Sequence, residues 1–289
     1  MSSALRVNVP FTKAEANGND FLVVTAERVP PAERVRFARA ICDRHRGVGA
    51  DGVEFITLIP GGARLELLNA DGSIAEISGN GTRCVAAVLA ESGSGGELRL
   101  DTAAGEKRAR VLEQGPEFWR IELAMGVPRF AMEEVPVVLP FRGKPGRPGT
   151  LTVHMREREW TLHVLSMGNP QCCLLVDAFP EDWKQLGAAW ECDPIFPQRT
   201  NVEFVKVTGP QSLEIRIFER GVGPTESSGT GSCASAVTAI CSGRVTSPVT
   251  VVSSGGIQEV AWAGTSGDEV WLRGPARIVA RGEYEWSQA

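Results

Sequence analysis

Apolar and polar positions change rhythm along the chain, and each change marks an element. Leu213-Glu214-Ile215-Arg216-Ile217-Phe218 alternates with a period of two, the pattern of a strand with one buried face. Shorter runs predict strands at 5 to 13, 21 to 25, 53 to 56, 64 to 68, 97 to 103, 106 to 112 and 118 to 123. The second half continues with 134 to 139, 150 to 155, 160 to 166, 172 to 176 and 202 to 207, and strands at 249 to 252, 257 to 262, 268 to 273 and 276 to 281 close the sequence. Pro30-Pro31 opens a helix to about Asp43, with Val35, Ala38 and Cys42 on one face and Gly47 beyond its basic end. A further helix fits 180 to 190. Asn17-Gly18-Asn19-Asp20, Asn69-Ala70-Asp71-Gly72-Ser73, Gly168-Asn169-Pro170 and Thr200-Asn201 read as turns.

One stretch occurs twice. Ser78-Gly79-Asn80-Gly81-Thr82-Arg83-Cys84 runs into Val85-Ala86-Ala87-Val88-Leu89-Ala90, and Ser228-Gly229-Thr230-Gly231-Ser232-Cys233 runs into Ala234-Ser235-Ala236-Val237, 150 residues further on (78 to 228). Each is a Gly-rich turn opening a helix too apolar for a surface. Taken singly, Ser78 and Ser228 read as helix N-caps. The repetition adds something, because a cap needs no second glycine, whereas a ligand approaching the backbone does. If the halves are related by pseudo-symmetry, both N-termini point at one cleft, where backbone N–H groups and helix dipoles favour a carboxylate. The pattern breaks at Met125-Gly126-Val127-Pro128, giving expected domains 1–127 and 128–273, with 274–289 returning to the first.

With 289 residues, 43% hydrophobic and 22% charged, the chain can bury two cores. A net charge of −5 and a pI near 5.5, without a Lys/Arg stripe, argue against a nucleic-acid partner. Seven cysteines, an odd number without CxxC spacing, suit reduced thiols in a cytoplasm. No signal-peptide core or bilayer-length apolar run is present, so no membrane association is expected. His45, His154 and His163 are scattered without ligand spacing, so no metal site is expected. Gly47-Val48-Gly49-Ala50-Asp51-Gly52 matches GxGxxG but follows a helix and leads into a strand, the reverse of a dinucleotide fingerprint, and reads as a tight loop. Neither a GxxxxGK[ST] loop nor a GxSxG elbow occurs. What remains is an Asn-rich polar set, two helix N-termini and the pair Glu219-Arg220, whose guanidinium suits a carboxylate. Together they suggest a small anionic or zwitterionic ligand without naming a reaction.

The turns themselves carry a resemblance. Asn17 to Phe21, Arg44 to Gly52, Asn69 to Ser73, Gly79 to Cys84, Ser166-Met167-Gly168-Asn169-Pro170, Arg199 to Phe204, and Glu219 to Gly223 with Gly229-Thr230-Gly231 resemble, in order and over nearly the whole chain, the motif series of diaminopimelate epimerases. The resemblance implies an α/β (mixed α+β) fold of two pseudo-symmetric domains, each a mixed β-sheet or barrel wrapped round a central helix, with the active site in the cleft between them. It implies a cytoplasmic homodimer that interconverts LL- and meso-diaminopimelate by two-base proton transfer, for lysine and peptidoglycan precursors, with no pyridoxal phosphate or other cofactor. By matching positions, Asn19, Asn69, Gly79, Asn80, Asn169, Asn201, Glu219, Arg220, Gly229 and Thr230 would hold substrate, the amides and Arg220 taking its distal end and Glu219 also supporting catalysis.

The chain departs from the family at the two positions where catalytic cysteines stand. Ser78 and Ser228 occupy them, while Cys84 and Cys233 lie a turn or more into the helices, and Gln171 stands where a His is common. A helix N-terminus can bring a thiol of pKa about 8.5 to neutrality. It supplies at most about 2 kcal/mol, far too little for an alcohol. The resemblance therefore implies a chain that binds substrate but turns over slowly or not at all, and the paired replacement is what removal of both thiols would leave. Two other readings stand: a thiol-free relative that binds an amino acid, and an epimerase or racemase for another amino acid using a base such as Glu219.

Overall fold

The computed structural model describes residues 6–93, 96–115, 118–131, 133–138, 147–155, 157–265 and 267–287. The chain divides into two compact units, Met1–Leu123 with Gly274–Ala289, and Ala124–Arg273.

In the first unit, β1 (Arg6–Ala16) and β2 (Asn19–Thr25) form a hairpin. Asn17 and Gly18 turn it at φ of 53° and 80°, the left-handed pair that a two-residue hairpin loop requires. A 3-10 turn at Pro31–Glu33 leads into α1 (Arg34–Ile41), so the helix expected from Pro30 starts a turn later. β3 (Gly52–Ile59) then runs parallel to β2, and β4 (Gly62–Asn69) antiparallel to β3. A short return, β5 (Ile74–Ala75), precedes the central helix α2 (Gly79–Glu91). β6 (Glu97–Thr102) lies parallel to β4, followed by antiparallel β7 (Gly105–Gln114) and β8 (Trp119–Gly126). The last strand of the chain, Val270–Ser287, pairs with β8 and with β1, closing a barrel of eight strands.

The second unit repeats the plan. β9 (Gly149–Met155) and β10 (Arg158–Ser166) pair antiparallel, and β10 turns into β11 (Pro170–Leu175). After α3 (Trp183–Glu191), β12 (Asn201–Gly209) lies parallel to β11 and β13 (Ser212–Glu219) antiparallel to β12. A short return, β14 (Gly223–Thr225), leads to the second central helix, α4 (Gly229–Cys241). β15 (Val249–Ser253) lies parallel to β13, β16 (Gly256–Ala261) antiparallel to β15, and β17 is the strand Val270–Ser287, antiparallel to β16.

The strands at the centre of each unit read as nearly continuous apolar runs because both of their faces are covered. Val53 and Phe55 pack outward with Phe37, Ala38 and Ile41 of α1; Val202 and Phe204 pack outward with Leu186 and Trp190 of α3. The alternate residues point the other way, onto the central helices. α2 packs against β1, β2 and β7, and α4 against β10 to β13, β15 and β16. A helix enclosed on all sides needs small apolar residues rather than an amphipathic stripe, which is why both are rich in Ala and Val. Phe37 anchors the outer layer of the first unit: its ring lies 5.3 Å from Trp286 and 5.8 Å from Tyr284, both edge-on, and its burial contributes about 3 kcal/mol.

Two strand expectations are corrected. Over 133 to 138 the chain forms turns and bends, because Pro136 removes a ladder donor from the middle of the apolar run. Val135 is buried there nonetheless, and Val138 N–H donates to the Ile195 carbonyl. The expected strands 268 to 273 and 276 to 281 are one: Pro275 sits between the β16 ladder, which ends at Arg273, and the β1 ladder, which starts at Arg277, so its missing N–H breaks neither. Residues 5 and 139, also expected in strands, lie outside the described residues.

Candidate active site

Both repeated serines are N-caps. Ser78 has φ −122° and ψ 121°, and its Oγ accepts the Gly81 N–H at 3.1 Å; Ser228 has φ −143° and ψ 126°, and its Oγ accepts the Gly231 N–H at 3.2 Å. Each satisfies a donor that the first helical turn would leave orphaned. Ser228 is buried and Ser78 half-buried, while Gly79 and Gly229, the first helical residues, are both buried.

In the first unit the structure connects Asn19, Asn80 and the Gly79 carbonyl in one network. Asn80 Nδ2 donates to Asn19 Oδ1 at 3.3 Å, and Asn19 Nδ2 donates to Asp51 Oδ2 at 2.5 Å. From below, the fully buried guanidinium of Arg83 donates to Asn80 Oδ1 at 2.6 Å, to Asn17 Oδ1 at 3.0 Å and to the Gly79 carbonyl at 3.3 Å. Arg44 ties Asp20 to Asp51, each at 2.8 Å, and Lys13 pairs with Asp20 at 2.9 Å. Burial pushes the Asp20 carboxyl upward, but hydrogen bonds and charge from Arg44 and Lys13 outweigh it and hold the group below the usual carboxylate range. Asn69 stands apart, donating to Ser73 Oγ at 2.9 Å.

In the second unit the expected residues fall into three groups. Ser228 Oγ and Thr230 Oγ1 lie 3.5 Å apart, Asn169 Nδ2 donates to Thr230 Oγ1 at 3.4 Å, and Gln171 Nε2 donates to Asn169 Oδ1 at 2.6 Å. Asn201 receives the Arg220 backbone N–H on Oδ1 at 2.9 Å and donates to the Pro170 carbonyl at 3.0 Å. The loop bearing Arg220 is clamped by buried Glu191, which accepts the Gly221 N–H at 3.0 Å and pairs with Arg199 at 2.8 Å. The Arg220 side chain is exposed and donates to the Gln198 carbonyl at 3.3 Å. Glu219, at the end of β13, is raised above the ordinary carboxylate range by burial, against the lowering effects of Thr225 and Arg220.

Sequence reasoning passed over two residues. Glu54 on β3 and Glu203 on β12 are buried, and burial raises each to about 8, for Glu203 with a hydrogen bond from Cys173 opposing and the charge of Glu219 adding. They stand beneath the helix N-termini. A Cβ on Gly81 would lie 2.3 Å from Glu54 Oε1, and one on Gly231 would lie 2.9 Å from Glu203 Oε1. The second glycine of each turn thus makes room for a carboxyl. A signal was available: Val-Glu-Phe occurs at 53 to 55 and again at 202 to 204, each time placing an acid in an apolar strand.

The helices' own thiols are poorly suited to proton exchange. Cys84 and Cys233 are fully buried, and burial drives the Cys84 thiol upward, away from the thiolate. All seven cysteines are free, and among the described residues no group of three or more His, Cys, Asp or Glu could hold a metal ion. No helix among them is long and apolar enough to cross a membrane.

The fold is shared with solved epimerase, racemase and PhzF-family structures. A hydroxyproline epimerase from Agrobacterium vitis superposes with a TM-score of 0.68 at 16% identity, covering 97% of this chain and 92% of that one. A phenazine biosynthesis protein of the PhzF family from Bacillus anthracis gives 0.64 at 14% identity, with 96% and 99% covered. Sequence is more specific: the profile of the diaminopimelate epimerase family matches residues 11–131 and 163–279. The diaminopimelate epimerase of Desulfitobacterium hafniense is 38% identical over 281 residues, covering 94% of this chain and 96% of that protein, and the one from Pelotomaculum thermopropionicum is 37% identical over 284, covering 96% and 99%. The chain belongs to the diaminopimelate epimerase family, a family of isomerases.

Proposed function

We propose that the chain binds diaminopimelate and interconverts its LL and meso forms by exchanging the α-proton, without pyridoxal phosphate, as a cytoplasmic homodimer serving lysine and peptidoglycan precursor synthesis. The observation that carries this reading is the family match, which runs through both units and covers nearly the full length of relatives named for that activity. In it, Ser78 and Ser228 occupy the two proton-exchanging positions. Gly79, Gly229 and Thr230 hold the substrate's reacting end through the helix N-termini, Asn19, Asn69, Asn80, Asn169, Asn201 and Arg220 hold its distal end, and Glu219 contacts substrate in support of the proton exchange. The Arg220 fork spends one donor on Gln198, leaving others for a carboxylate.

The paired serines favour a second reading, an amino-acid binding protein of the same fold, because a hydroxyl alone is a poor base for a carbon acid at neutral pH. Calorimetry with diaminopimelate, and solvent deuterium exchange at its α-carbon, separate the two. The first reading expects micromolar-range binding, slow exchange by the chain, and faster exchange by the Ser78→Cys/Ser228→Cys variant. Binding with no exchange by either protein supports the binding protein, and exchange of a different amino acid by the double Cys variant overturns the substrate.

A further inference from the structure

Each unit buries a glutamic acid that the proposed function does not yet employ. Glu54 and Glu203 hold the same station, on the strand that follows the parallel crossover, facing the first turn of the central helix. Glu54 is 1% exposed and Glu203 0%; Glu54 Oε2 and Glu203 Oε1 have no hydrogen-bond partner. A carboxyl oxygen left without a partner in an apolar interior opposes folding, so its appearance twice, each time in Val-Glu-Phe, calls for a role. The surroundings indicate which one. The missing Cβ of Gly231 would lie 2.9 Å from Glu203 Oε1 and 3.3 Å from Ser228 Oγ, and that of Gly81 2.3 Å from Glu54 Oε1 and 3.3 Å from Ser78 Cβ. In both units the bare face of a glycine has the carboxyl and the serine side chain close beside it. The groups facing the carboxyls are Cys84 on α2 for Glu54, and Cys173 on β11 with Glu219 on β13 for Glu203.

We propose that Glu54 and Glu203 are proton-relay residues acting through Ser78 and Ser228, so that a carboxyl behind each hydroxyl replaces the missing thiol. The proposal rests on the reading of the two serines as proton-exchanging positions. Each serine Oγ accepts the glycine N–H and keeps its own proton for donation, and rotation about the Cβ–Oγ bond re-aims that proton without moving the capping oxygen. In one direction Ser78 Oγ takes the substrate's α-proton as its hydroxyl proton passes to the Glu54 carboxylate. Glu203, as the acid, protonates Ser228 Oγ while the Ser228 hydroxyl proton goes to the carbanion. One C–H bond breaks and one forms, Glu54 ends as the acid and Glu203 as the carboxylate, and that state is set for the reverse reaction. No oxidant, reductant or cofactor enters the balance. Carboxyls that titrate near 8 suit the task, since an acid and its conjugate base are both populated close to neutrality.

The test measures deuterium exchange into diaminopimelate from both isomers, with calorimetry alongside. In the chain as it stands, Glu54→Gln or Glu203→Gln is expected to lower exchange by about 100-fold or more while binding changes less than about threefold. In the Ser78→Cys/Ser228→Cys background the same Gln substitutions should lower exchange by no more than about threefold, because a thiol needs no relay. Equal losses in both backgrounds, or exchange unmoved by Gln in the serine chain, overturn the relay. So does a serine chain that binds diaminopimelate without exchanging it. If Gln prevents folding, the unsubstituted protein still decides: one acid and one base predict a bell-shaped exchange rate peaking near pH 8, and a rate rising steadily from pH 6 to 10 overturns it. Absence of diaminopimelate binding, together with absence of exchange by the double Cys variant, refutes the proposed function itself and the relay with it.

Discussion

In the first unit the turn at Ser78 is wired by charge: Arg83, wholly buried, grips Asn80, Asn17 and the Gly79 carbonyl, and Asp51 extends the network to Arg44, Asp20 and Lys13. In the second unit the turn at Ser228 is wired by neutral groups: Thr230, Asn169 and Gln171. At the 150-residue offset, the apolar thiol Cys233 stands where Arg83 does. The serine, the second glycine and the buried glutamic acid are common to both turns. Under the proposed function, the parts shared by two otherwise different settings are those that the duplicated chemistry would use. Parts that differ, Arg83 above all, belong to the local wiring of each turn.

The shared carboxyls give the largest expected effect. Because burial raises both in the folded state from 4.5 to about 8, the folded protein holds protons that the unfolded chain releases. Their stabilising contribution is therefore full below about pH 4.5 and lost progressively up to about 8, on the order of 4 kcal/mol for each carboxyl. Urea unfolding from pH 5 to 9 should show this decline, and Glu54→Gln and Glu203→Gln should each remove a comparable part of it. A slope that disappears with one substitution alone would show that the two stations are not equivalent.

The differing parts come next. Arg83→Met strips Asn17 and Asn80 of a buried cationic donor and should cost about 3 to 5 kcal/mol in urea unfolding. Cys233→Ala, at the matching position, deletes one buried sulfur and should cost about 1 to 2 kcal/mol. Similar losses at the two positions would mean that the guanidinium network is not what holds the first turn.

Most of this plan was written in local pattern. The repeated Ser-Gly-x-Gly turns, the crossovers and the hairpin at Asn17-Gly18 follow from glycine placement and from the switch between periods of two and 3.6. The serine caps were legible because capping is a short-range property of four or five residues. Asp51, Glu191 and Arg83 were not legible as partners, since each reaches residues that are distant along the chain, such as Asn19, Gly221 and Asn17. Pro136 overrode an apolar run, and Pro275 was tolerated inside a strand, for one reason: the cost of a missing N–H depends on whether a ladder needs it there, which only pairing reveals. Glu54 and Glu203 escaped notice because a single acid in a strand normally faces water, and nothing in a period of two says that both faces are covered.

The smallest effect probes the shared glycines. Neither Gly81 nor Gly231 has a positive φ, so alanine meets no backbone strain at either, and the first-turn gain in helix propensity, up to about 1 kcal/mol, favours the substitution. Opposing it is the carboxyl, 2.3 Å from a new methyl at Gly81 and 2.9 Å at Gly231. The closer contact should win outright, making Gly81→Ala destabilising by about 2 kcal/mol, while Gly231→Ala loses about 1 kcal/mol or less. If the carboxyl is the cause, shortening it must relieve the clash: Gly81→Ala combined with Glu54→Ala should show a coupling of about 1 kcal/mol or more in a double-mutant cycle. Strict additivity would mean that the second glycine is there for something other than the acid beneath it, and the resemblance between the two turns would then be one of backbone alone.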